Sequence, residues 1–165
     1  MKIIYVGPLW YGTTSLQRMQ AIERIGYKVY PLNTDNISKS YSLLTRIFLK
    51  ITRDSGYPFD LFNINTMLKN KIKLIQPEIV WLDKGLVIKD STLKYIKTNY
   101  KNLKIVGYSP DDMGVKHNQS KYFLKGLSSY DFFVTTKSYN VLELKLMGAS
   151  NVIFVDNAFD PHIHF

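Results

Sequence analysis

With 165 residues, 45% of them hydrophobic and 14% aromatic, the chain is long enough to bury one core and too apolar to be disordered. It has no cysteine, which excludes a disulfide framework, thiol catalysis and Cys-based metal sites and fits a reducing cytoplasm. The net charge of +9 could serve a nucleic acid, an anionic membrane face or an anionic substrate. Yet only four of the 22 basic residues are Arg and the lysines are scattered, which speaks for compositional background rather than a polyanion site.

The opening MKIIYVG has no long apolar run after its single Lys, so it predicts a strand over 2–6 and not a signal peptide. From Gly7 the spacing G-x-x-x-x-G-T-T imitates a P-loop, whose glycines admit the backbone to phosphates and whose Lys reaches the terminal ones. Thr13 stands in the Lys position, so the loop lacks the charge for phosphoryl transfer. Gly7, Gly12 and Thr13 could still line an anion or sugar site. A helix over 15–25 follows, stopped by Gly26, and then a strand over 28–32.

Residues 33–57 are the hardest to place. A polar stretch, 33–40, precedes a helical pattern over 42–52, in which Leu43, Ile47 and Ile51 stand four apart beside Leu44, Phe48 and Leu49. Arg46, Lys50 and Arg53 flank that stripe, which suits either a core-facing helix or a basic amphipathic helix on a membrane surface. The rest alternates regularly: helix 60–75 ended by Pro77, strand 79–82, helix 91–99, strand 104–108, helix 120–128, strand 132–135, helix 138–147 stopped by Gly148, strand 152–155. Short apolar strands alternating with helices predict a doubly wound, mainly parallel Rossmann-like α/β sheet with helices on both faces, one domain over 1–165. The Rossmann strand order is the expectation. No apolar run approaches the ~20 residues of a membrane span.

In such sheets ligands bind beyond the carboxyl ends of the strands, so the strand exits hold the candidates. Trp10 and Tyr11 in the first exit could stack on a sugar or base, or pack over the sheet edge. Asp83 and Lys84 follow the third strand. Asp111 and Asp112 follow the fourth, where one carboxylate could act as a base and the other could cap a helix or close an Asx turn. His117 lies just beyond, and could hold a phosphate or orient an aspartate. Thr136 and Lys137 follow the fifth strand, and Asp156 and Asn157 the sixth. Asp160, His162 and His164 mimic a metal cluster, but an i, i+2 histidine pair with no third placed ligand is a poor zinc site, so no metal is expected. No G-x-G-x-x-G, G-x-S-x-G or H-E-x-x-H motif occurs.

The last third, YSPDDMGVKHNQSKYFLKGLSSYDFFVTTKSYNVLELKLMGASNVIFVDNAFDPHIH, resembles the amino-terminal domain of GT-B-fold glycosyltransferases, in particular the CgeB-like group. Asp111, Asp112, Tyr130, Asp131, Thr135, Thr136, Lys137, Asn140, Glu143, Leu144, Gly148, Ala149, Phe159, Asp160, Pro161 and His164 match that group's pattern in order, while Met113 replaces a frequent Pro. The resemblance implies an acceptor-side domain, moving sugar from a nucleotide-sugar donor to a glycan or lipid-linked acceptor, as in cell-surface polysaccharide biosynthesis. The cofactor expectation for this chain is none, the donor binding mainly to a second GT-B domain in cis or on another chain, so that this part is nearly inert alone. The candidate base is Asp111 or Asp112; the cleft and acceptor candidates are Gly7, Trp10, Tyr11, Gly12, Thr13, Asp83, Lys84, His117, Thr136, Lys137 and Asn140. Peripheral contact with the inner face of the membrane is a further expectation, and a nucleic-acid partner is not expected. The rival is a non-catalytic binding or regulatory module of receiver or flavodoxin type. A phosphoacceptor receiver would place Asp83 and Lys137 suitably but needs acids after the first strand, where Gly7-Pro8-Leu9 stands.

Overall fold

The computed structural model describes residues 1–35 and 41–160; the expectations for 36–40 and for Pro161, His162 and His164 lie outside the described residues. Six strands are hydrogen-bonded into one sheet: β1 (Lys2–Gly7), β2 (Lys28–Asn33), β3 (Ile79–Asp83), β4 (Lys104–Ser109), β5 (Phe132–Thr135) and β6 (Val152–Phe154). Every pairing is parallel. The helices are α1 (Thr14–Arg24), α2 (Leu43–Asp54), α3 (Ile64–Ile75), α4 (Asp90–Asn99), α5 (Lys121–Gly126) and α6 (Asn140–Leu146). The doubly wound α/β expectation is met, but the order is β2-β1-β3-β4-β5-β6, the flavodoxin-like arrangement and not the Rossmann order.

That order follows from the crossovers. The chain steps outward once, from β1 through α1 to β2, then returns and proceeds the other way for all remaining strands. With right-handed crossovers this places α1 on one face and α3 to α6 on the other. The main core accordingly gathers Ile4, Val6, Val80, Leu82, Ile105 and Phe133 from alternate strand positions with Leu68, Ile72, Leu93, Ile96 and Leu144 from the helices. Gly107 on β4 is required by this packing: a Cβ there would stand 2.5 Å from the Phe133 ring. The opposite parity, Tyr5, Trp81, Asp83 and Tyr108, belongs to the α1 face.

The helix stops behave as their chemistry dictates, Gly26 and Gly148 both taking positive φ. Asp60, expected inside α3, instead accepts hydrogen bonds from the Ile64 and Asn65 N–H groups at 2.7 and 3.0 Å and caps it. The core-facing reading of the 42–52 helix fails: α2 buries no residue. Among the described residues no helix is long and apolar enough to cross a membrane.

Candidate functional site

The direction of winding reverses between β1 and β3, so the loops after those strands diverge and leave a crevice at their carboxyl ends. Gly7 ends β1 without a side chain because a Cβ would lie 2.5 Å from Ser15 Oγ and 3.1 Å from Asp83 Cβ. The start of α1 thus comes down onto the end of β3. Thr13, standing where a P-loop has its Lys, is the N-cap of α1: its Oγ1 accepts from the Leu16 N–H at 3.2 Å and donates to the Pro8 carbonyl at 2.8 Å. Two of the loop amides are spent within the protein, Leu9 N–H on Asn33 Oδ1 at 2.9 Å and Thr13 N–H on the Trp10 carbonyl at 3.1 Å. Trp10 and Tyr11 project from the loop, 41% and 95% exposed, and Gly12 takes φ +91° to turn the chain beneath them.

Beneath that loop lies a buried polar cluster that the sequence reading only half identified. Asp83, fully buried, accepts from the Tyr5 hydroxyl at 2.6 Å and from Arg18 Nε at 3.0 Å, both at Oδ2. Arg18 Nη2 lies 2.9 Å from the same oxygen, within ion-pairing distance but without hydrogen-bond alignment. Asp83 Oδ1 has no hydrogen-bond partner among the described residues. The guanidinium carbon sits 3.9 Å from the centroid of the Tyr108 ring, and Trp81 stacks between Tyr5 and Tyr108. Burial and the Asp83 charge push the Tyr5 hydroxyl far above its ordinary range; burial also raises Tyr108. Burial alone would lower the Arg18 guanidinium, but Asp83, Tyr5 and Tyr108 together outweigh it, so Arg18 stays charged. A cleft beside the cluster, between α1 and the segment after β6, is lined by Gln17, Arg18, Tyr108, Pro110, Asp156 and Asn157.

Tyr5, Arg18 and Tyr108 were missed as site residues. A signal existed: Asp83 closes an otherwise apolar strand and, once buried, needs a cation, which the helix starting over β1 supplies one turn in.

The aspartate pair after β4 divides its work. Asp111 Oδ2 pairs with Lys84 Nζ at 2.7 Å, both partly exposed. Asp112 Oδ1 accepts from the Gly114 N–H at 2.8 Å, closing an Asx turn, and from Asn140 Nδ2 at 2.9 Å; these bonds hold its carboxyl below the usual range. Buried Asn140 also accepts from the Met113 N–H at 2.7 Å and donates to Glu143 Oε2 at 2.6 Å. Thr136 Oγ1 donates to the Pro110 carbonyl at 3.1 Å, Lys137 is half-buried at the β5 exit, and His117 is exposed on a 3-10 turn. Among the described residues no cluster of three or more His, Asp or Glu could hold a metal ion.

Fold and cluster together define a doubly wound α/β domain of flavodoxin-like order with a polar knot at its switch point. No protein-family model matches the chain, and no curated protein does. Among solved structures it is similar to a two-component response regulator of the LuxR family from Aurantimonas sp. SI85-9A1, at 15% identity and a TM-score of 0.49, covering 91% of this chain and 87% of that one. It is also similar to RcsB from Salmonella enterica serovar Typhimurium, solved bound to promoter rprA in the presence of phosphomimetic BeF3−, at 10% identity and a TM-score of 0.45, covering 96% of this chain and 61% of that one.

These findings correct the glycosyltransferase resemblance. The matching structures are response regulators, so the GT-B family, the sugar-transfer activity, the polysaccharide role and the glycan or lipid-linked acceptor are withdrawn. The exclusion of nucleic acid is withdrawn with them, since one of the two was solved on a promoter. The residues that carried the resemblance explain how it arose. Asp112, Asn140 and Glu143 knot the β4 exit to α6. Asp131 joins α4 to β4, accepting from Lys97 Nζ at 2.8 Å and from the Ile105 N–H at 2.8 Å. Gly148 stops a helix at φ +112°. Such turn and cap chemistry is demanded by the architecture and carries no enzymatic signature.

Proposed function

We propose that this chain is a non-catalytic binding or regulatory module, one domain over 1–165, that acts in the cytoplasm and takes its ligand at the carboxyl edge of β1 and β3. The observation that carries this reading is that each carboxylate along this rim already has a partner, with Asp83 Oδ1 and Arg18 Nη2 left without a hydrogen bond among the described residues. Asp83 is held by Tyr5 and Arg18, Asp111 by Lys84, and Asp112 by Asn140. A general base must reach its proton with a lone pair to spare and a pKa near working pH; Asp112 is shifted the opposite way. What the edge offers outward is binding surface: Trp10 and Tyr11 on the loop, Gly7, Gly12 and Thr13 shaping it, and Lys84 at the third exit. The cysteine-free sequence supports the cytoplasmic location.

Within that class the reading favours binding over phosphoacceptor chemistry. Asp83 occupies the end of the third strand but is fully buried and ion-paired, and no acid follows β1. Incubation with acetyl phosphate should add no phosphoryl group by intact-mass measurement; a stable adduct on Asp83 would sink this part.

The binding test uses Trp10 emission in a Trp81→Phe background, titrated with FMN, ATP and double-stranded DNA. Mononucleotides are included because this strand order holds them at this switch point. A saturable change with the ligand recovered intact is expected, and Trp10→Ala, followed by calorimetry because it removes the fluorophore, should weaken binding while the fold persists. Chemical conversion of the ligand, or no response at residues 7–14 to any of the three, would overturn the reading.

A further inference from the structure

The helix α2 is turned inside out. Leu43, Leu44, Ile47, Phe48 and Ile51 are 46–78% exposed, and Phe59, 50% exposed, joins them through an edge-on contact with Phe48 at 5.2 Å between centroids. The half-buried side toward the body of the protein is instead Thr45, Leu49 and Thr52. At 3.6 residues per turn the outward apolar side chains span an arc of about 140°. Arg46, Lys50 and Arg53 occupy the arc next to it, all exposed. The one acid on the helix, Asp54, lies in the last turn, 3.2 Å from Lys50 Nζ and 3.8 Å from Arg53 Nε. An apolar arc of this width would be covered in a core helix. Here it lies open, with cations along one flank.

The basic surface continues past the helix. Its C-terminal turn is tied to α5 by a hydrogen bond from the Lys121 N–H to the Gly56 carbonyl at 2.7 Å, and Arg53, Lys116 and Lys121 line one hollow there. Val115 and Leu124, both exposed, sit among these cations.

We propose that α2 docks on the surface of an anionic lipid bilayer, its apolar arc sunk to the acyl boundary and Arg46, Lys50 and Arg53 at headgroup level. Charge complementarity selects this occupant. A cationic flank beside a wide apolar arc matches an anionic interface, which rewards both at once, and the neighbouring Lys116 and Lys121 extend the contact. A protein groove would need acids placed against each cation. The inference goes beyond the ligand-binding reading and does not rest on it.

The test is co-sedimentation of the full chain with vesicles of phosphatidylcholine alone and with about three parts in ten of phosphatidylserine. Binding is expected to the anionic vesicles only and to weaken between about 0.1 and about 0.5 M NaCl. Leu44→Ser with Ile47→Ser should reduce partitioning about tenfold or more, and Arg46→Glu with Lys50→Glu comparably, with unchanged urea midpoints because all four side chains are exposed. Deuterium exchange of the wild-type chain should slow over 43–54 on anionic vesicles, a readout independent of any variant. Failure to bind, equal binding to neutral vesicles, or binding that Leu44→Ser with Ile47→Ser leaves intact would overturn the proposal. So would self-association without vesicle binding, abolished by that pair, which would give the face to a second copy.

Discussion

A buried carboxylate such as Asp83 is tolerable only while something compensates its charge. Arg18 supplies the cation and Tyr5 the hydroxyl donor, so Arg18→Leu should cost about 3 kcal/mol in urea unfolding by stranding Asp83. Adding Asp83→Asn to Arg18→Leu should recover much of that loss; equal and additive losses would show that the pair is not coupled. Asn140 poses the converse case. It donates to both Asp112 and Glu143 from a fully buried position, so Asn140→Asp replaces a donor with a third negative charge. A loss of about 2–4 kcal/mol is expected at neutral pH. The introduced carboxyl would have a raised pKa, so the deficit should shrink as pH falls and the group is neutralised. At this scale the sequence exposed the polar residues at strand exits but not their pairing. Asp111 and Asp112 are neighbours, yet one is matched to Lys84 and the other to Asn140, partners 27 and 28 residues away brought in by different strands. Spacing along the chain holds no record of such matches.

Helices α2 and α3 each span 12 residues and carry comparable apolar stripes in sequence, yet α3 buries Ile64, Asn65, Leu68 and Ile72 while α2 buries nothing. Leu68→Ala should therefore cost about 2–5 kcal/mol by leaving a cavity between α3 and the sheet. Ile47→Ala, on the exposed arc of α2, should stay within about 0.5 kcal/mol in the same urea assay. If Ile47→Ala were as damaging as Leu68→Ala, α2 would be covered in the folded chain. The comparison marks what periodicity conveys. It located all six helices, and for α2 the apolar face as well, but is silent about what lies against such a face. Element type was legible because strands of three to six mostly apolar residues alternate with helical patterns. Strand order was not, because the same alternation is compatible with either doubly wound arrangement; the direction of each crossover decides it.

Across the whole molecule, titration should bound stability from both sides. On the acid side, Glu78 accepts from the Lys2 N–H at 2.6 Å, Asp112 from Asn140 and Gly114, and Asp131 from Lys97 and Ile105, and all three carboxyls lie below their ordinary values. For Asp131 burial opposes the shift, and the hydrogen bonds and the Lys97 charge overcome it. A group whose folded pKa is depressed lends stability above its unfolded pKa, 4.5 for Glu78 and 3.8 for the aspartates. That stability is lost as pH falls through the folded values. Protonation also removes negative charge from a chain already at +9, adding repulsion that salt should relieve. On the alkaline side, Tyr5 and Tyr130 are held neutral by burial well above the unfolded value of 10.0. Their contribution is complete below that value and is lost as pH rises beyond it. The urea midpoint should thus be level between about pH 5 and about pH 9 and fall on either side. Asp131→Asn should lower the plateau by about 1–3 kcal/mol and flatten the acid limb, and Tyr130→Phe should flatten the alkaline one. An acid limb equally steep in wild type and Asp131→Asn would show that the Lys97 and Ile105 contacts to Asp131 do not couple its ionisation to folding.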